Sequence, residues 1–186
     1  MKIGAAIRPK RGEVECGDAY LVSWQDDGAL IAVIDGLGHG PEAARASRAA
    51  CAYIEAHEGD SPGTLMHGLH KALAHTRGAA VALMRIRPRA GEMTHSSVGN
   101  VEVAGLSKEE VRPLCTPGIV GYKMRRVVER CFPIHGGDIL VVFTDGVSRR
   151  LDLEAYRHRE AQDLAEAVLI DWGKDHDDAT CVSVFC

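Results

Sequence analysis

Apolar residues follow two different periods along this chain. The run Ala29-Leu30-Ile31-Ala32-Val33-Ile34 is continuous, rich in branched side chains, and bounded by Gly28 and Asp35-Gly36. A short apolar run between turn residues predicts a buried strand. Ile139-Leu140-Val141-Val142-Phe143-Thr144 predicts another over 138–144, and Ala179 to Cys186 predicts the last. Residues 18–26 and 29–35 flank Asp26-Asp27-Gly28, where Asp-Gly signals a tight hairpin. Residues 2–8 predict an edge strand, and 79–87 with 92–98 a natural pair. Gly99-Asn100 then turns into a strand over 101–105.

Helical spacing appears in three places. Over 41–57, Ala43, Ala44, Ala50, Cys51 and Ile54 share one face, and Pro41 suits the first turn. Ser61-Pro62 starts a second helix through about residue 75, with Ser61 as its cap. Leu164, Ala165, Val168 and Leu169 mark a third over 160–172. Residues 106–137 hold Pro113, Pro117 and Pro133 and predict short strands and loops. Strands joined by turns pair antiparallel, and paired helices cover a sheet face. No repeat or linker divides the chain, so 1–186 reads as a single α+β domain.

Composition narrows the function classes. Hydrophobic residues make up 46% and charged residues 26%, as in soluble globular proteins. A net charge of -4 without a long Lys/Arg run speaks against a nucleic-acid partner. Arg125-Arg126 and Arg149-Arg150 are short pairs that read as solvated surface. The six cysteines form no C-x-x-C pair. Cys51 and Cys181 lie in apolar segments and read as reduced core thiols, which fits the cytoplasm. No signal peptide and no membrane-spanning stretch is expected.

The candidate chemistry lies at strand ends. Asp35 closes the strand at 29–34 and opens Gly36-Leu37-Gly38-His39-Gly40. Asp145-Gly146 closes the strand at 138–144, Asp18 precedes Ala19-Tyr20-Leu21-Val22, and Asp177-Asp178 precede the last strand. A carboxylate at the end of a buried strand is unfavourable unless a cation or donors meet it. One Asp-Gly alone is an ordinary turn. Several, each bounding an apolar strand, predict an oxygen-rich site for magnesium or manganese.

Gly17-Asp18, Asp35-Gly36-Leu37-Gly38-His39-Gly40, Thr144-Asp145-Gly146 and Asp177-Asp178-Ala179-Thr180 follow one another as in the metal-dependent serine/threonine phosphatases of the protein phosphatase 2C (PPM) family. The chain most resembles the bacterial SpoIIE and RsbX branch, through Arg77-Gly78-Ala79-Ala80 and Ser97-Val98-Gly99-Asn100 as well. The resemblance implies a four-layer αββα sandwich, two antiparallel sheets flanked by helices. It implies two manganese or magnesium ions, with Asp35 bridging them and the Gly36 carbonyl on one. Asp145 and Asp177 would hold the other, Asp18 would be a ligand or an acceptor for bound water, and Asp178, counted with the metal set, would rank behind them. Asp18, Asp35, Asp145 and Asp177 are thus the implied catalytic set. The implied reaction is direct attack of metal-bound hydroxide on a phosphoserine or phosphothreonine. The implied substrates are stressosome scaffold and antagonist proteins, dephosphorylated by a monomer to reset a sigma-B-like stress response.

The sequence departs from larger relatives in two places. Arg8 and Arg11 lie near the phosphate-binding arginine of those relatives without matching its spacing, and His39 lies beyond their usual histidine position. Other motifs reduce to packing or surface. His67, His70 and His75 predict a solvated helix face, and Trp24 and Trp172 predict packing. The Gly36-x-Gly38-x-Gly40 loop lacks dinucleotide spacing, and no P-loop or G-x-S-x-G occurs. Two rival readings are a non-catalytic binding module of the same fold and a metal hydrolase of small phosphoesters.

Overall fold

The run at 29–34 is continuous because both its faces are covered. In the computed structural model, which describes residues 1–186, it forms β3 (Gly28–Gly36), an interior strand of a sheet. Leu30, Ala32 and Ile34 point to one apolar layer, while Ala29, Ile31 and Val33 point to another. This is the two-residue period of a strand with no solvent-facing side. Each branched side chain so buried stabilises the fold by about 1.5–3 kcal/mol.

β3 pairs antiparallel with β2 (Asp18–Gln25) and β4 (Ala79–Arg87). β5 (Glu92–Val98) and β9 (Glu129–Pro133) complete a five-stranded sheet in the order β2-β3-β4-β5-β9. The second sheet has four strands, β1-β11-β10-β6: β1 (Lys2–Arg8), β6 (Glu102–Leu106), β10 (Ile139–Phe143) and β11 (Ala179–Phe185). Its pairs are also antiparallel. A short hairpin, β7 (Gly118–Ile119) with β8 (Lys123–Met124), stands apart.

Helices close the outer faces. α1 (Pro41–Ala56) and α2 (Pro62–Ala72) place Ile54, Leu65 and Leu69 on β3 and β4. α3 (Ala161–Trp172) places Leu164 and Val168 on Val141, Phe143 and Cys181 of the second sheet. Between the sheets lie Ile31, Val33, Met84, Leu140, Val142 and Val182. The αββα sandwich expected from the resemblance is therefore present, and Ser61 caps α2 by accepting from the Thr64 N–H.

Several details differ from the sequence reading. The segment after Gly99-Asn100 does not pair with β5; β6 joins the other sheet beside β10. Gly99 adopts φ 111°, a left-handed value that favours glycine and lets the chain cross between sheets. A 3-10 turn at Leu153–Tyr156 breaks the loop before α3. Trp24 is 61% exposed and packs little, whereas the half-buried Trp172 donates to the Tyr156 hydroxyl. No helix is long and apolar enough to cross a membrane.

Candidate active site

Strand register brings the aspartates to one rim. Asp18 begins β2 and stands opposite Asp35 near the end of β3. In the other sheet Phe143, ending β10, stands opposite Cys181 near the start of β11, so Asp145 and Asp177-Asp178 leave from the same end. Backbone bonds lock the rim: Thr144 N–H donates to the Thr180 carbonyl (3.1 Å), and Gly36 N–H to the Gly17 carbonyl (3.2 Å).

Glycine is required where backbones meet. A Cβ on Gly36 would lie 2.3 Å from the Ala43 carbonyl oxygen and 2.8 Å from that of Gly17. Only hydrogen at that position lets the first turn of α1 close onto the strand end. A Cβ on Gly146 would fall 1.8 Å from the Asp178 carbonyl oxygen.

The carboxylates differ in how they are held. Buried Asp18 accepts from the Thr144 hydroxyl at 2.7 Å, and that hydroxyl accepts from Thr180 N–H at 3.0 Å. Asp145 accepts from the Asn100 amide at 2.6 Å. Asp178 spends both oxygens on backbone, accepting from Lys10 N–H (2.8 Å) and Gly17 N–H (3.0 Å). Asp177 accepts from Asp178 N–H at 3.0 Å. Asp35 is partly buried and accepts no hydrogen bond at its side chain.

No ion pair neutralises this group. Arg8 pairs with Asp175 at 3.6 Å and Arg149 with Glu102, and none of the ion pairs includes Asp18, Asp35, Asp145, Asp177 or Asp178. Lys174 donates instead to the Asp145 carbonyl. Burial and then repulsion by Asp18, Asp145, Asp177 and Asp178 push Asp35 up to about 8. Burial raises Asp18 to about 7, against the opposing Thr144 bond. Asp177 is raised by burial and then by Asp145.

These residues suit a divalent cation in chemistry. The donors are hard oxygens, their like charges are uncompensated, and Asp35 has no protein partner. The side chains do not close on a single point as a finished shell of three ligands. Beside Asp35 and Asn100 opens a shallow cleft of about 340 Å³, lined also by Leu37, Pro117, Gly118 and Ile119.

Residue patterns assign no role to Asn100, Thr144 or Lys174. Asn100 and Thr144 lay within segments that carried the resemblance; Lys174 had no such signal. His39 pairs with Glu13, its Nδ1 2.7 Å from Oε1. His70 is not merely solvated, because its Nδ1 accepts from Gly121 N–H at 3.0 Å.

Comparison with known proteins agrees with this fold. A family model described as Stage II sporulation protein E (SpoIIE) matches residues 25–184. Phosphoserine phosphatase RsbX of Bacillus subtilis (strain 168) is 27% identical over 141 residues, 75% of this chain and 71% of that protein. A chain solved in work on the bacterial stressosome, described as a modular system adapted to control secondary messenger signaling, superposes with a TM-score of 0.93. It is 33% identical, and the match covers 97% of each chain. RsbX in complex with magnesium superposes at 0.85 with 23% identity, over 96% of this chain and 92% of that one. The catalytic domain of the serine/threonine phosphatase PstP, in complex with two manganese ions, reaches 0.75 at 17% identity, over 98% and 96%. The last two likenesses establish the shared fold.

Proposed function

We propose a function for this chain from one premise: it belongs to the SpoIIE family, as a protein-serine/threonine phosphatase of the PPM type. Its proposed substrates are stressosome-type scaffold or antagonist proteins phosphorylated on serine or threonine, and its role is to reset a sigma-B-like stress response. The observation that carries the catalytic reading is the set of acidic side chains from both sheets, gathered at one rim without a protein counter-ion. The likeness to RsbX and to the stressosome chain supports the substrate class.

In this reading Asp35, the Gly36 carbonyl, Asp145, Asp177 and Asp18 would hold divalent ions, manganese or magnesium. Bound divalent ions supply Lewis acidity and lower the pKa of water toward neutrality. The chain's own residues orient that chemistry. Asn100 fixes one oxygen of Asp145, and Thr144 fixes one oxygen of Asp18. Asp178 shapes the loop from Lys10 to Gly17, each of its oxygens accepting from a backbone N–H, and would stand behind the other ligands. We assign the activity to residues 1–186 acting as one domain in the cytoplasm, where six unpaired cysteines are stable.

Phosphate release from a phosphoserine protein with manganese tests the reading. Asp35→Ala should lower the rate by about a thousandfold or more. Equal release by wild type and variant would remove the proposed centre.

A further inference from the structure

Lys123, Arg125, Arg126 and Arg130 are all exposed, and none forms an ion pair or a side-chain hydrogen bond. Their sequence pattern reads as solvated surface, but their placement is not random. Pro117 is a wall shared by three adjoining hollows. The first is the cleft with Asp35 and Asn100. The second, about 280 Å³, is lined by Lys123 and Arg125. The third, about 430 Å³, is lined by Arg125, Arg126 and Arg130, with Leu114 and Val128 as apolar surface. The acidic residue within this strip, Glu129, is turned toward α2, where it accepts from Gly63 N–H.

The strip is also fixed relative to the aspartates. Val120, in the β7–β8 turn, exchanges both backbone bonds with Ala79 (3.0 and 2.9 Å), and Ala79 pairs with Gly36. His70 holds the same turn through Gly121 N–H. The cations therefore stand at a set position beside the cleft.

We propose that this strip docks an acidic segment flanking the phosphorylated residue of the protein substrate. The proposal rests on the phosphatase reading for the identity of that partner. On a chain of net charge -4 this strip is a local patch of unpaired cations, and its field favours an acidic partner at that place. A mixed basic and apolar hollow matches glutamates or aspartates interspersed with an apolar side chain. The strip is too short to track a long nucleic-acid backbone.

The test uses a fluorescein-labelled phosphoserine peptide with glutamates on both sides, and its glutamine counterpart. Anisotropy should show the glutamate peptide binding wild type about tenfold more tightly at low salt, with the preference shrinking as salt rises. Arg125→Glu/Arg126→Glu/Arg130→Glu should abolish that preference, while turnover of p-nitrophenyl phosphate with manganese stays within about twofold, since the substitutions lie outside the catalytic set. Arg125→Gln/Arg126→Gln/Arg130→Gln should weaken it in the same direction if charge reversal impairs folding. Equal affinity of the two peptides for wild type, or a preference that survives in both variants, overturns the proposal. So does a single-stranded oligonucleotide of the same length binding more tightly than the glutamate peptide. If wild type shows the preference yet hydrolyses neither peptide nor the small ester, the docking surface stands and the phosphatase reading fails.

Discussion

Asp35 and Asp18 show how a site can work against its own fold. Their carboxyls sit at about 8 and about 7, raised chiefly by burial. In the unfolded chain an aspartate titrates near about 3.9. Between these values the folded state binds more protons than the unfolded one. The stabilising difference is therefore full below the unfolded value and is lost as pH rises through 7 to 8. Metal-free protein should melt lower at pH 8.5 than at pH 6. Asp35→Asn should recover about 1 kcal/mol or more at the higher pH while losing phosphate release. A metal-free wild type whose melting is unchanged over this range would contradict the assignment. His95 behaves in the opposite sense. It is 3% exposed, burial lowers it to about 4, and its Nε2 has no partner. Its folded value lies below the unfolded one, so its contribution is full above about 6.5 and is lost as pH falls toward 4. His95→Leu should therefore gain on wild type by up to about 3 kcal/mol across that window, measured by urea unfolding at each pH.

Elements are held to the site by close backbone approach. Gly36→Ala puts a methyl group 2.3 Å from the Ala43 carbonyl oxygen, so α1 or the end of β3 must move. The expected result is a loss of about 1–3 kcal/mol and a large fall in activity, because Asp35 precedes the displaced residue. Gly59→Ala, with nothing within 4 Å of the new methyl, should leave activity unchanged and serves as the control. Similar losses in both variants would show that crowding at Gly36 is not the cause. At this scale the sequence was informative wherever period and punctuation decide. Both faces of β3, the Ser61 cap and the three helices followed from residue spacing. The partner of β6 did not, because alternation says which faces are buried but not which strand lies alongside. Trp24 failed for a related reason: it lies at an exposed position of β2, where an aromatic side chain is tolerated without packing. The aspartates were legible because each ends or begins an apolar strand. Lys174 was not, since a lone lysine in a loop carries no pattern that would aim it at the Asp145 carbonyl.

For the molecule as a whole, the rim is a seam. Asp18 and Asp35 come from the five-stranded sheet, while Asp145 and Asp177 come from loops at the end of the four-stranded one. The sheets adhere through apolar side chains such as Val33, Leu140 and Val182, and at this end they also present like charges to each other. A divalent cation held by both sets would replace that repulsion with attraction across the seam. Because the unfolded chain has no such arrangement, the binding energy becomes folding energy, about 2.7 kcal/mol when free ion exceeds its dissociation constant a hundredfold. For a chain of this size that corresponds to a melting shift of roughly 5–10 °C. Binding must displace protons from Asp18 and Asp35, so the shift should be larger at pH 8.5 than at pH 6. Thermal melts with manganese and with magnesium check this, with Asp35→Asn as the reference. An equal shift in that variant would place the bound ion elsewhere on the protein and dissolve the link between the seam and the chemistry.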